Sequence, residues 1–435
     1  MSDGAAARAL PVAFRTLGCK VNRAESEAIA AELLSAGVRL AEEDEAAVVV
    51  VNTCTVTGEA DAKARKAVRQ ALAAASRPVV VVTGCLAVLD RGALRALGGR
   101  VVVEADKALV AGVVAELLGR TRRAPGMTGA GPWSSARESS GAFRTRVALK
   151  IEDGCDAFCA YCIVPYARGV PRATPLSEVR AEAQALVDAG TREIVLTGVN
   201  IGRYSDGEAR LSDVLAAVAD TGVSRIRLSS VEPLDLTDEL LGVAASTPAL
   251  CAHLHVPLQS GSDPVLSAMG RTYAAEQYAE RITAARGALP GLVVTTDVLA
   301  GFPGETAEQA AETLAFCKRT GFGKLHVFRY SRRPGTPAAE RTDQVPDAEK
   351  AARAAALREL SAQATSAHAA ARVGETAEVL VERVNMRPDG TPVADGTTRD
   401  YLRVRFDADG ARIGELVAVR LGMPDGDRVL GERPK

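Results

Sequence analysis

The chain has 435 residues, 47% of them hydrophobic, and a formal net charge of −1. That length suffices for two or three domains with a sizeable core, and the balanced charge leaves any nucleic-acid contact to a local basic face. No apolar run reaches the roughly 18–20 residues of a membrane span, and Met1-Ser2-Asp3-Gly4 opens without a secretory pattern.

From about Val12 to Leu118, strand and helix patterns alternate. Val48–Val51 and Val79–Val82 read as buried strands, Ser26–Ala36 and Ala60–Ala74 as helices. This is the pattern of a small α/β domain with parallel strands. Three of its elements end in cysteine-bearing turns: Leu17-Gly18-Cys19, Asn52-Thr53-Cys54 and Thr83-Gly84-Cys85. Ligands of open α/β sheets collect at the carboxyl ends of strands, so these distant cysteines are placed to converge. Arg120 to Ser140, rich in Gly, Pro, Ser and Arg, reads as a linker.

A second α/β series follows. Candidate strands are Val147–Ile151, Glu193–Thr197, Arg225–Ser229, His253–Pro257, Leu292–Leu299 and Lys324–Phe328. Helices include Glu178–Ala189, stopped by Gly190, and Ala307–Thr320, stopped by Gly321. Six strand–helix units suggest a partial (β/α) barrel with its active site at the C-terminal strand ends. Asp347–Arg372 reads as a helix with Asp347 as N-cap. Thr376–Val384, Tyr401–Phe406 and Leu416–Leu421 alternate with period two, the pattern of a small β-barrel. The predicted divisions are 10–120, a linker 121–143, the barrel 144–371 and the β-domain 372–435.

Eight cysteines without a secretory signal read as metal or catalytic thiols of a reducing cytoplasm, not as a disulfide framework. Cys155, Cys159 and Cys162 form a CxxxCxxC run directly after the first barrel strand. Three thiolates so spaced hold three irons of a [4Fe–4S] cluster and leave the fourth open for a small molecule. Zinc fits less well, because it takes four ligands and no fourth Cys or His lies nearby. Cys251 and Cys317 have no partner at ligand spacing and read as core residues, and His253 and His255 read as facing opposite sides of a strand.

The CxxxCxxC run, with Ile163-Val164-Pro165-Tyr166-Ala167-Arg168-Gly169 after it, resembles the radical S-adenosylmethionine (SAM) methylthiotransferases. The likeness covers nearly the whole chain and implies a multidomain α/β protein: a methylthiotransferase domain, a partial (β/α)6 radical-SAM barrel and a TRAM-like β-domain. Thr16-Leu17-Gly18-Cys19-Lys20-Val21-Asn22 is most similar to the branch acting on N6-threonylcarbamoyladenosine at tRNA position 37, although that branch often has Gln where Arg23 stands.

The resemblance implies two [4Fe–4S] clusters, one at Cys155, Cys159 and Cys162 that cleaves SAM to a 5′-deoxyadenosyl radical, and one at Cys19, Cys54 and Cys85 that carries the transferred sulfur. No catalytic residue is expected beyond these ligands. SAM contacts are expected from Tyr161, Gly198, Asn200, Ser229, Ser230, Glu232, Gly301, Pro303 and Glu305. RNA contacts are expected from Arg168, Arg172, Arg329, Arg332, Arg333 and Arg403. The β-domain carries 11 basic and 12 acidic residues from Arg372 to Lys435, so its RNA role rests on the likeness alone. The implied partners are a tRNA anticodon stem-loop and an electron donor such as flavodoxin or ferredoxin. Alternative acceptors are isopentenyladenosine in tRNA and a ribosomal-protein aspartate. A non-catalytic Fe–S RNA-binding protein is the rival of another class.

Overall fold

The computed structural model describes residues 10–120 and 145–434; the linker expected at 121–143 lies outside the described residues. The chain divides into two compact units. One comprises Met1–Phe143, Gly154–Asp156 and Ile163–Val170; the other comprises Arg144–Asp153, Ala157–Cys162 and Pro171–Lys435.

The first unit is built on a parallel five-stranded sheet: β1 (Pro11–Thr16), β2 (Arg39–Leu40), β3 (Val48–Thr53), β4 (Val79–Gly84) and β5 (Val101–Val103), in the order β2-β1-β3-β4-β5. Both faces of β3 are covered. Val49 and Val51 pack with Ala64, Val68 and Leu94, while Val48 and Val50 pack with Ile29, Leu33 and Val114. That double burial is why these strands read as unbroken valine runs rather than alternating ones. The first helix runs from Lys20 to Ser35 with Cys19 as its N-cap. It starts six residues before the predicted Ser26, because its first turns carry polar residues, Asn22, Glu25 and Ser26, that the fold buries. An apolar-period search passes over such a turn.

The second unit opens with β6 (Arg146–Lys150), β7 (Glu152–Asp153) and β8 (Arg172–Ala173), the last two forming an antiparallel pair. The barrel strands continue with β9 (Glu193–Thr197), β10 (Arg225–Leu228), β11 (His253–His255), β12 (Val293–Ala300) and β13 (Lys324–Arg329). They form two parallel sheets, β10-β9-β6 and β11-β12-β13, joined by bridges Ile226↔Leu250 and Ser230↔His255. Gly190 (φ +81°) and Gly321 (φ +67°) end their helices as read from the sequence. The helix Asp347–Ala371 is capped by Pro346, which puts Asp347 inside the first turn instead of at the N-cap. The C-terminal strands β14 (Thr376–Met386), β15 (Pro392–Thr398), β16 (Arg403–Asp407), β17 (Leu416–Asp425) and β18 (Arg428–Glu432) close as β14-β15-β16-β18-β17. Their core is Val379, Val381, Val404, Phe406, Val419 and Leu421.

The inward-facing residues of the barrel are strongly polar. Arg225 and Arg227, two apart on β10, share a face and are 0% and 1% exposed. Arg227 Nε donates to Glu193 Oε1 at 2.9 Å. Both arginines also donate to backbone carbonyls of the C-terminal barrel, Arg225 to Thr397 and Glu378, Arg227 to Thr398 and Arg399. Tyr401, at φ +75°, stacks on His253 with centroids 4.5 Å apart and lies under the guanidinium groups of Arg146 and Arg227. The C-terminal barrel thus closes the N-terminal end of the partial barrel. His253 and His255 both reach Thr295 Oγ1, at 3.1 and 3.0 Å. They therefore share a face, contrary to the reading from the sequence, because residues i and i+2 of a strand point the same way.

Candidate functional site

Cys19, Cys54 and Cys85 sit just beyond β1, β3 and β4, neighbouring strands in register at Thr16↔Asn52↔Thr83. Two glycines bring their loops together. Gly18 has φ +94°, and a Cβ there would lie 2.4 Å from Cys54 Cβ and 2.8 Å from its Sγ. Gly84 has φ +93°, and a Cβ there would meet Thr53 O at 2.3 Å. Only glycine combines such a backbone with such proximity. Burial pushes the Cys54 and Cys85 thiols up; the charges of Cys19 and Cys85 add to this at Cys54, while Arg168 and Lys107 oppose it at Cys85. The three sulfurs thus share one electrostatic neighbourhood. Cys19 additionally lies at the N-terminus of a 16-residue helix, where negative charge is favoured. Among the described residues no three His, Cys, Asp or Glu side chains close tightly enough for a single metal ion. A cluster spreads its thiolates over separate irons and does not require that closeness.

The Cys155–Cys162 loop is held at several points. Gly154 has φ +93°, and a Cβ there would lie 2.1 Å from Val170 O. The Cys155 amide donates to Gly169 O at 2.9 Å. In the second unit, the Ala160 amide donates to Met269 O and the Ala160 carbonyl accepts from the Ala338 amide, both at 2.8 Å, and the Cys162 amide donates to Cys159 O at 2.9 Å. Arg271 Nη1 lies 3.4 Å from Cys159 Sγ, and the same guanidinium pairs with Glu232. Sequence reading missed Arg271; a helix-stopping Gly270 before it gives no hint of a side chain turned onto a thiol.

At the strand ends, Thr197 Oγ1, Asn200 Oδ1 and Ser229 Oγ are shut off from solvent with no hydrogen-bond partner among the described residues. Buried polar atoms are ordinarily bonded, so this group is suited to a polar ligand. The turn through Gly198 and Asn200 is fixed by Glu152, whose Oε2 accepts from the Val199 and Asn200 amides at 2.8 and 2.9 Å. Gly198 leaves the space this needs, since a Cβ there would be 2.7 Å from Glu152 Oε2. Glu152 was also missed; its only sequence signal is an acid directly after an apolar strand.

The other predicted SAM residues have mixed placements. Ser230 and Glu232 are half-buried near β10. Gly301 (φ +75°) and Pro303 are buried, and the Glu305 carboxylate turns back onto its own loop, accepting from the Gly301 amide at 2.7 Å and from Arg353 Nη1 at 2.9 Å. The Tyr161 ring packs edge-on against Phe302, centroids 6.5 Å apart. Two predicted RNA contacts are corrected. Arg168 and Arg333 are 8% and 6% exposed, so neither is free to meet a phosphate backbone. Arg172, Arg329 and Arg332 are exposed, and Arg403 is exposed but paired with Asp427 at 2.6 Å. A cleft of about 1050 Å³ beside Arg15, Glu27 and Glu43 includes none of the cysteines.

Residues 149–317 match the radical SAM superfamily, and residues 11–103 match the family described as uncharacterized protein family UPF0004. A threonylcarbamoyladenosine tRNA methylthiotransferase of Bacillus subtilis is 40% identical over 94% of this chain and 93% of its own length. The chain belongs to the radical SAM tRNA methylthiotransferases. A second such relative, from Thermotoga maritima, is 34% identical over 94% of each chain. A tRNA-2-methylthio-N(6)-dimethylallyladenosine synthase of Acidothermus cellulolyticus is 38% identical over 96% of this methylthiotransferase and 88% of its own length. Among solved structures, a radical SAM methyltransferase of Kitasatospora setae superposes at TM-score 0.54 and 15% identity, covering 76% of this chain and 77% of that one. At that identity the likeness concerns the fold. No helix among the described residues is long and apolar enough to cross a membrane.

Proposed function

We propose that this methylthiotransferase inserts a methylthio group at C2 of N6-threonylcarbamoyladenosine in tRNA. The observation that carries the proposal is the near full-length similarity to the Bacillus subtilis enzyme of that activity. The polar concave face of the barrel supports the acceptor. His255 lies 3.3 Å from Asp297 and 5.4 Å from the ring of His326. The bridge Ser230↔His255 sets these groups at the height of Ser229. Such side chains hydrogen-bond a threonylcarbamoyl group, with its hydroxyl and carboxylate, and have no partner in an isopentenyl group.

The cofactors of this reading are [4Fe–4S] clusters and SAM, which supply the radical, methyl and sulfur chemistry that an unactivated C2–H requires. Cys155, Cys159 and Cys162 hold one cluster, and Cys19, Cys54 and Cys85 the other. Thr197, Asn200 and Ser229 bind the polar end of SAM, and Glu152 holds the turn that presents Asn200. Arg271 donates toward the Cys159 sulfur and orients Glu232. Arg172, Arg329, Arg332 and Arg403 meet RNA phosphate. The enzyme works in the cytoplasm with a one-electron donor such as flavodoxin or ferredoxin.

The similarity to the dimethylallyladenosine synthase makes isopentenyladenosine the competing acceptor. Mass spectrometry of tRNA nucleosides from a deletion strain decides between them. Loss of 2-methylthio-N6-threonylcarbamoyladenosine alone supports the proposal, and loss of the isopentenyl counterpart overturns it.

A further inference from the structure

Behind the cysteines of the first unit lies a buried charged group that sequence reading assigned elsewhere. Arg168 Nη1 donates to Glu25 Oε1 at 2.9 Å, and its Nη2 donates to Asn22 Oδ1 at 2.7 Å. Lys107 Nζ reaches the same Glu25 oxygen at 2.6 Å. The side chains of Arg168 and Glu25 are only 4% and 3% exposed. Asn22 passes the contact on. Its Nδ2 donates to Leu17 O at 2.8 Å and Thr53 O at 2.9 Å, and its carbonyl accepts from Asn52 Nδ2 at 2.8 Å. Leu17 and Thr53 lead directly into the Gly18-Cys19 and Cys54 turns.

These contacts do two separate things. Geometrically, one amide ties together the carbonyls preceding two of the three cysteines, and Arg168 fixes that amide. Electrostatically, two cations share one carboxylate, which leaves one positive charge in excess among the three groups. Buried charge is costly without a counter-charge. The Cys85 thiol feels both Arg168 and Lys107. Three thiolates around an iron–sulfide core are anionic. The potential of such a core depends on the charges and hydrogen bonds around it.

We propose that Arg168 is a positioning residue of the Cys19–Cys54–Cys85 site, setting the cysteine turns through Asn22 and raising the reduction potential of the cluster held there through its buried positive charge. This goes beyond the proposed activity but rests on its assignment of a cluster to these three cysteines. The experiment uses full-length protein carrying Cys155→Ala, Cys159→Ala and Cys162→Ala, so that this cluster is observed alone. Iron is counted after anaerobic reconstitution, and the potential is read from an EPR-monitored redox titration.

In that background Arg168→Gln shifts the potential to more negative values, Glu25→Gln shifts it to more positive values, and Arg168→Lys leaves it near the starting value with full iron content. Opposite signs from two partners of one ion pair are not produced by a merely structural role. Unchanged potentials, or shifts of the same sign, overturn the proposal. Where Arg168→Gln retains no iron, Glu25→Gln and Arg168→Lys decide alone, by the same signs. A background protein that binds no iron overturns the cluster assignment and the proposal with it.

Discussion

Gly18→Ala tests the cysteine convergence most directly. At φ +94° an alanine costs about 1–3 kcal/mol in backbone strain. Its Cβ would also stand 2.4 Å from Cys54 Cβ and 2.8 Å from Cys54 Sγ, against an ordinary carbon contact of about 3.5–4.0 Å. Cys54 is 7% exposed and has little room to retreat, so the overlap adds about 1–3 kcal/mol. The sum of about 2–6 kcal/mol falls on the geometry of this one site. At about 1.4 kcal/mol per decade, it weakens cluster binding there by at least tenfold. Iron and sulfide counts after anaerobic reconstitution are expected to fall from about eight to about four per chain. Gly190→Ala is the control: its φ is +81°, but nothing lies within 4 Å of the added Cβ, so it carries strain alone and keeps its iron. Full iron content and an unchanged melting temperature in Gly18→Ala would refute the reasoning.

Thr197→Val removes a buried hydroxyl that has no hydrogen-bond partner among the described residues. Its melting temperature is expected to hold or rise, while calorimetry shows SAM affinity falling about tenfold; unchanged affinity dissociates Thr197 from the ligand. Burial raises the Glu182 carboxyl to about 7, with Lys150 pulling it back. Its folded-state pKa lies above the unfolded value of about 4.3, so its contribution is whole below that pH and is lost as pH rises to about 7. Glu182→Gln should therefore stabilise the protein by about 1–3 kcal/mol at pH 8 and by nothing near pH 4, measured by urea denaturation at both values. Arg227→Met leaves Glu193, fully buried, with Arg146 and, at 3.6 Å, Arg225 as the cations still acting on it. A loss of about 3–5 kcal/mol is expected, partly recovered in Arg227→Met/Glu193→Leu; equal stability of both variants contradicts the ion-pair account.

The strands were legible where side-chain chemistry repeats. Glu193–Thr197 falls where the apolar run Ile194-Val195-Leu196 puts it, and the helix Ala307–Thr320 where Gly321 stops it. The six cysteines at turns after strands were legible for the same reason, since turn residues and thiols mark themselves. Residues that act by holding others were not. Glu152 and Arg271 have no neighbours in sequence that reveal what they bond, and their partners lie 47 and 112 residues away. Arg168 shows the opposite error: an arginine in a motif reads as a phosphate contact until burial shows a carboxylate already on it. Strands β15 and β18 escaped notice because Pro392, Gly396 and Gly431 interrupt their alternation, and barrel closure supplies the pairing that pattern does not.

Tyr401 and the carbonyls of Thr397, Thr398 and Arg399 complete the floor of the radical barrel, because Arg225 and Arg227 have their hydrogen bonds there. Cutting the chain near Arg372 therefore does more than remove the C-terminal barrel. It uncaps two buried guanidinium groups and opens the base of the chamber to water, so a truncated enzyme reports on two losses at once. The RNA contact proposed for Arg403 is better tested by a single substitution there, which leaves that seal in place.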